Sequence, residues 1–262
     1  MIWHAAHWAH WVRAFVTLVL LSFRRLFWSV GTLMLLFPLS ACTIFLLRRR
    51  YDAMSDPAQA FNSLSNFVLI VYAAFLVPLC ALAFGTASVG GDREDKTLLF
   101  LLIRPLPRAM ILLAKFAAAL PLVLGFSCGA FWIYCRLAGE AGRTAYDAYL
   151  PAAVYMSIAY TAVFHLFAVW FRHSTIAALI YAVFMEVLLG NVPGIIKRVA
   201  INYYGRSLMY DAGVEHGLSA PDPQWFEPIE PGEARMALWL ITVGALLVAW
   251  LVFRTREYEE PT

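Results

Sequence analysis

Two ionisable side chains, His165 and Glu186, interrupt long apolar stretches of this sequence. A carboxylate near the centre of a bilayer costs about 2.5–3.5 kcal/mol on insertion scales, so Glu186 is expected to face other helices and to be paired or protonated. One hypothesis places it in a transport path or gate. The alternative is a structural hydrogen bond to a neighbouring helix, with Tyr155, Tyr160 or His165 as the partner. As a base and an acid, His165 and Glu186 are also the pair that a membrane-embedded enzyme would use.

A second candidate chemistry lies near the start of the chain, where His4, His7 and His10 are spaced three residues apart. This spacing places side chains on one side of a helix and would suit a metal site. The same segment alternates tryptophans with cationic residues, which is typical of a helix lying in the lipid headgroup plane. Neutral interfacial histidines are the simpler interpretation, so these residues are only weak candidates and no metal site is predicted.

The third candidate is a charged cluster, residues 92–96, that is followed by the apolar run Leu98–Ile103. Two Arg/Pro pairs, which include Arg104 and Arg108, follow this run. Six apolar residues cannot cross a bilayer, which requires about 20. They are also too apolar to lie bare in water. We therefore predict a short helix that is pressed into a groove of a partner protein and held at the membrane surface by the flanking charges.

The amino-acid composition indicates the class of protein that carries these residues. The chain is 62% hydrophobic and only 14% charged, whereas soluble domains carry about 25% charged residues. We predict an all-α integral membrane protein, and the small, scattered net charge of +3 gives no indication of nucleic-acid binding. Six apolar windows of spanning length are predicted to be transmembrane helices: Leu26–Leu47, Phe67–Val89, Met110–Cys135, Tyr149–Phe171, Thr175–Ile195 and Met236–Phe253.

The predicted organisation has two parts. Residues 1–25 are predicted to form an interfacial amphipathic helix, and residues 26–262 a six-span transmembrane domain. Within that domain, residues 92–108 form a cytoplasmic segment and residues 196–235, rich in prolines and acids, a long extracytoplasmic loop. This orientation, with both termini cytoplasmic, places 11 Lys/Arg residues inside and 9 outside. That bias is weak, and the basic residues of segment 92–108 at the ends of both adjoining spans favour it most.

Three sequence stretches resemble the type-2 permease family of ATP-binding-cassette (ABC) transporters. They are Gly-Gly-Asp-Arg-Glu-Asp-Lys-Thr-Leu (90–98), Leu-Leu-Ile-Arg-Pro-Leu-Pro-Arg (101–108) and Ile-Leu-Leu-Ala-Lys-Phe (111–116). The six-span layout, the interfacial first helix and the long outer loop before the last span are also similar to that family. One departure is Lys96, since many members have glycine there.

The resemblance implies a permease subunit, an exporter in the cytoplasmic membrane of a bacterium or archaeon. Such a subunit pairs with itself or a close relative and binds two separate ATPase subunits, which hold the ATP and magnesium. The chain has no Gly-x-x-x-x-Gly-Lys-Ser/Thr phosphate loop, so it is not the ATPase, and no cofactor of its own is predicted. A membrane anchor that recruits an ATPase without transporting anything is a further alternative. The residues that the resemblance assigns to ATPase contact are Asp92, Arg93, Glu94, Asp95, Leu98, Phe100, Leu101, Leu102, Arg104 and Arg108.

Overall fold

The computed structural model describes residues 2–49, 56–95, 97–98, 101, 103, 106–188, 195–219, 221 and 226–256, with side chains from Trp11 onward apart from Val187 and Ile195. Most of these residues are helical, and none of them lies in a strand. In chain order the helices are α1 (Ile2–Phe27), α2 (Val30–Arg49), α3 (Pro57–Gly85), α4 (Ala87–Glu94), α5 (Arg108–Leu137), α6 (Gly139–Trp170), α7 (Ser174–Tyr181), α8 (Ile201–Val214) and α9 (Pro231–Thr255).

Within the described part of the chain, five helices are long and apolar enough to cross a membrane: α2, α3, α5, α6 and α9. They coincide with the first four predicted spans and the last one, which confirms the prediction of an all-helical chain with membrane-length helices. At the predicted fifth span there is instead a shorter apolar helix, α7, continued by a π-helical segment (Ala182–Leu188). Because residues 189–194 lie outside the described part, the six-crossing layout stays a prediction.

The central element is α6, which packs against α3, α5, α8 and α9. Its 32 residues correspond to a length of about 48 Å. Short hydrogen bonds tie it to its neighbours: Ser157 Oγ lies 2.8 Å from Ser127 Oγ of α5, and Tyr149 Oη lies 2.8 Å from Ser65 Oγ of α3. Such polar pairs between apolar helices stabilise helix association where water is absent.

The helix α8 falls in the predicted outer loop, yet it packs closely along α6. A Cβ atom added at Gly205 would lie 2.0 Å from Met156 Sδ, and one at Gly213 would lie 2.7 Å from Tyr149 Oη. Both partners belong to the predicted fourth span, Tyr149–Phe171. The loop predicted at residues 196–235 is therefore helical over α8, and this helix lies beside a membrane-length helix.

The two ends of the bundle carry different polar groups. The basic residues that were predicted to share one side meet at one end, where Arg25 and Lys115 contact Asp92, and Arg108 contacts the backbone at Arg254. At the other end, Asn62 of α3 binds the loop after α8, donating to Gly217 O at 3.1 Å. We call the first of these the insert end, because the segment of residues 92–108 begins there. That it faces the cytoplasm stays a prediction.

A tight turn joins α5 to α6, and two glycines make it possible. Gly139 has a φ of 63°, a left-handed conformation that glycine adopts at little cost. One turn later, a Cβ atom at Gly142 would lie 1.8 Å from the carbonyl oxygen of Cys135. Because that atom is backbone, it cannot move aside without displacing α5.

Gly142→Ala is therefore expected to separate α5 from α6 and to lower the apparent melting temperature of the detergent-solubilised protein by several degrees. The matched control is Gly125→Ala in α5, since a Cβ atom there meets nothing within 4 Å. Alanine at Gly125 is expected to leave stability unchanged or to raise it slightly, because alanine favours helix by about 1 kcal/mol over glycine. Equal melting temperatures for the two variants would contradict the close packing at the turn.

Candidate functional site at the insert end

The predicted partner-binding segment, residues 92–108, is called the insert from here on. It begins in the last turn of α4, where Asp92 is buried with 4% of its surface exposed. One oxygen of the Asp92 carboxylate forms an ion pair with Arg25 of α1, and the other forms an ion pair with Lys115 of α5. Arg25 also reaches Asp95. Three helices that are distant in sequence therefore meet on one carboxylate.

Burial makes this ion-paired cluster sensitive to the loss of Asp92. Lys115 is only 5% exposed, so without Asp92 its ammonium would be buried with no counter-ion. Breaking a buried pair in this way typically destabilises a protein by about 3–5 kcal/mol. The backbone N–H of Thr97 also donates to the carbonyl oxygen of Asp92 at 2.8 Å, which closes the end of α4.

Arginines at both ends of the insert bind the last carbonyl groups of the long helices. Arg93 donates to Phe171 O, just after α6, at 2.8 Å. Arg108 donates to Arg254 O and Arg256 O at the end of α9, at 3.0 and 3.2 Å. Arg256 in turn donates to Trp170 O and Val169 O of α6. A helix leaves its last four carbonyls unpaired and carries partial negative charge there, so guanidinium groups are well suited to these positions.

The apolar part of the insert faces in two directions. Leu98 is 4% exposed and packs in a core cluster with residues of α5, α6 and α9, and Leu101 and Leu106 are partly buried against the same cluster. Ile103, in contrast, is 71% exposed. Phe100, Leu102 and Arg104 lie outside the described residues.

The described residues that the resemblance assigned to ATPase contact therefore include a buried group and an exposed group. The side chains of Asp92 and Leu98 face this protein's own helices, whereas Glu94 and Asp95 are exposed. Their role in binding a partner stays a prediction. Sequence reasoning missed Arg25 and Lys115 as counter-ions of Asp92. The signal was present, since a lysine inside a predicted span requires a buried anion.

A second site is formed by Glu186, which lies in the π-helical segment Ala182–Leu188 and is fully buried against the start of α8. Its carboxylate accepts hydrogen bonds from Tyr160 Oη at 2.7 Å, from the backbone N–H of Ile201 at 3.0 Å and from that of Asn202 at 2.9 Å. Ile201 and Asn202 begin α8, where unpaired N–H groups and the helix dipole favour a negative charge. Of the three predicted partners, the structure selects Tyr160. The backbone contacts could not be predicted, because nothing local links residue 186 to residue 201.

His165 and Glu186 do not form the pair that an embedded enzyme would require. His165 Nδ1 lies 2.7 Å from Ser88 Oγ, and its ring packs edge-on against Phe116 with a centroid distance of 5.6 Å. Tyr155, the third predicted partner of Glu186, instead packs against Trp239 of α9. The geometry at both residues is that of hydrogen bonds between helices.

No metal site is found in the described part of the chain, where no group of three or more His, Cys, Asp or Glu residues lies close enough to hold an ion. The side chains of His4, His7 and His10 are outside it. The four cysteines are free thiols, and two of them, Cys80 and Cys135, are buried.

Together, the membrane-length helices and the charged insert packed on their ends are the features of a multi-pass membrane protein. The family described as "ABC-2 family transporter protein" matches residues 22–224, most of the chain. The chain belongs to this ABC-2 transporter family, which confirms the resemblance found in the sequence.

Two curated relatives are named "Probable ABC transporter permease protein NosY". The protein of Stutzerimonas stutzeri is 40% identical over 72 residues, which cover 26% of this chain and 26% of the relative. That of Pseudomonas aeruginosa is 35% identical over 101 residues, 34% of this chain and 37% of the relative. The matched segments thus span between a quarter and two fifths of the relatives' lengths.

Asp92→Asn tests the ion-paired cluster. We expect it to lower the apparent melting temperature clearly, because the asparagine leaves Lys115 buried without a full negative charge. The control is Glu94→Gln, which removes the same charge from an exposed position two residues away and should leave the melting temperature within about one degree. Equal effects of the two substitutions would show that Asp92 is not the residue that joins the three helices.

Tyr160→Phe tests the hydrogen bonds at Glu186, with Tyr155→Phe as the same change on the same helix. Loss of the Tyr160 hydroxyl should weaken the carboxylate's attachment to α8 by about 1–3 kcal/mol. We expect hydrogen–deuterium exchange of the first amides of α8 to accelerate roughly tenfold in Tyr160→Phe and to stay unchanged in Tyr155→Phe. Unchanged exchange in both variants would contradict a structural role for the Tyr160–Glu186 contact.

Proposed function

We propose that this chain is the permease subunit of an ABC exporter, and that the insert transmits the ATP-driven movement of separate ATPase subunits to the membrane helices. The observation that carries the proposal is that the insert is bonded to four helices. Asp92 reaches α1 and α5, Arg93 reaches the end of α6, and Arg108 reaches the end of α9. A displacement of the insert would therefore act on most of the bundle at once.

The exposed part of the insert supplies the surface on which an ATPase subunit would dock. Among the described residues of the insert, Ile103, 71% exposed, is the apolar side chain best placed to enter a groove, and Glu94 and Asp95 would supply polar contacts around it. Leu98 and Leu101 hold the insert to the bundle from inside. This assignment differs from the one drawn from the resemblance, in which Leu98, Phe100, Leu101 and Leu102 were the apolar partner anchors.

The wider assembly is also part of the proposal. By the family resemblance, two permease subunits, identical or closely related, would stand above two ATPase subunits in the cytoplasmic membrane of a bacterium or archaeon. The insert end would then face the cytoplasm. The two relatives, from Stutzerimonas stutzeri and Pseudomonas aeruginosa, are both named as probable ABC transporter permease proteins, which supports a permease role and does not extend to a substrate for this chain.

The test is co-purification of the full chain from its native host in mild detergent, with mass spectrometry to identify and quantify any ABC-type ATPase subunit. We expect Ile103→Asp to reduce the recovered ATPase at least tenfold, since burying a charge at a central apolar contact removes a binding hot spot. The melting temperature of this variant should stay unchanged, because the Ile103 side chain is not part of the core.

Two further variants make this result specific. Val214→Asp places the same charge at an exposed position at the other end of the bundle and should leave ATPase recovery intact. Leu98→Asp should instead lower the melting temperature of the permease itself. Full ATPase recovery with Ile103→Asp would refute docking through this surface, and the absence of any ATPase with the unmodified chain would refute the permease assignment.

A further inference from the structure

The geometry points to a lipid site: we propose that a cleft at the insert end binds the phosphate headgroup of an anionic phospholipid. The cleft lies between the ends of α6 and α9 and has a volume of about 530 Å³. It is lined by Trp170, Phe171, Arg172, Val252, Thr255 and Arg256. Basic and apolar side chains thus share one concave surface, as a phosphate joined to acyl chains requires.

The charge of the cleft is positive. Arg172 is exposed and Arg256 is half-buried, and both belong to the lining. Arg254, next to the cleft, holds its guanidinium 5.5 Å from the ring centroid of Trp250. Among the described residues, none that lines the cleft is acidic, so an anion there is attracted by the arginines and is not repelled by the side chains of that lining.

The position of the cleft, at the ends of two membrane-length helices, favours a lipid as the source of that anion. Both α6 and α9 are membrane-length helices, and the cleft lies where each of them ends. Trp170, 49% exposed, stacks beside Phe171 at a centroid distance of 6.1 Å. Exposed tryptophans at the ends of spanning helices lie at headgroup depth, and basic pockets between such helices bind anionic headgroups.

The chemistry also distinguishes among phospholipids. A zwitterionic headgroup such as phosphatidylcholine would bring its own cation towards the arginines, whereas phosphatidylglycerol presents a phosphate without a compensating charge. Free inorganic phosphate carries the same anionic group but lacks acyl chains for Val252 and the aromatic rings. The proposed ligand is therefore an anionic phospholipid of the leaflet at the insert end.

The test is native mass spectrometry of the full chain in detergent, titrated with phosphatidylglycerol or with phosphatidylcholine of the same acyl chains. The variant is Arg172→Gln, because Arg256 also holds the end of α6 through its bonds to the backbone. Arg143→Gln is the matched control: it removes an exposed arginine from the opposite end of the same helix, α6.

We expect the unmodified chain to retain phosphatidylglycerol in preference to phosphatidylcholine. Arg172→Gln should reduce that retention about fivefold, the factor for one basic side chain at an anionic surface, and Arg143→Gln should leave it unchanged. Equal losses in the two variants, or equal binding of the two lipids, would overturn the site. Displacement of the lipid by inorganic phosphate at equal concentration would overturn the assignment to a lipid. The lipid comparison, the two variants and the competition with phosphate are all independent of whether an ATPase binds the insert.

Discussion

Helix ends inside a low-dielectric bundle must find polar partners within the protein, and this constraint underlies most of the specific contacts described above. Where such an end is buried, as at the start of α8, water is not available to bind its unpaired N–H groups. At the start of α8, Glu186 accepts from the backbone of Ile201 and Asn202. At the ends of α6 and α9, Arg93, Arg108 and Arg256 donate to the last carbonyls. Glu186, which looks anomalous in an apolar sequence, thus binds backbone groups that would otherwise be unpaired.

The same constraint explains how a short insert can be firmly attached to a much larger bundle. Its arginines are held by helix ends, and Asp92 is held by cations from α1 and α5. These contacts are directional and strong when buried, whereas the apolar contribution of Leu98 is non-directional. A segment attached at both ends by ionic and hydrogen-bonding contacts moves together with the elements it binds. That mechanical property is what coupling to a separate motor subunit would require.

Sequence reasoning located the charged residues that make contacts between helices more reliably than it located their partners. The buried acid Glu186, the charged cluster and the basic residues at one end were all identified, because charge in an apolar sequence is costly and therefore conspicuous. The sequence did not predict the direction in which each side chain points. Leu98 and Ile103 belong to the same apolar run, yet the former is buried in the core and the latter is 71% exposed. No periodic pattern in so short a run distinguishes them.

The sequence by itself determined that the chain is helical, that it is a membrane protein, and that its insert resembles that of ABC permeases, because hydrophobic length and local motifs are properties of contiguous residues. Only the tertiary structure decided that α8 lies beside α6, that Glu186 binds the start of α8, and that Asp92 joins Arg25 to Lys115. Arg25 and Asp92 are 67 positions apart. Contacts over such separations depend on how all the helices pack, and the residues between the partners carry no local signal for them.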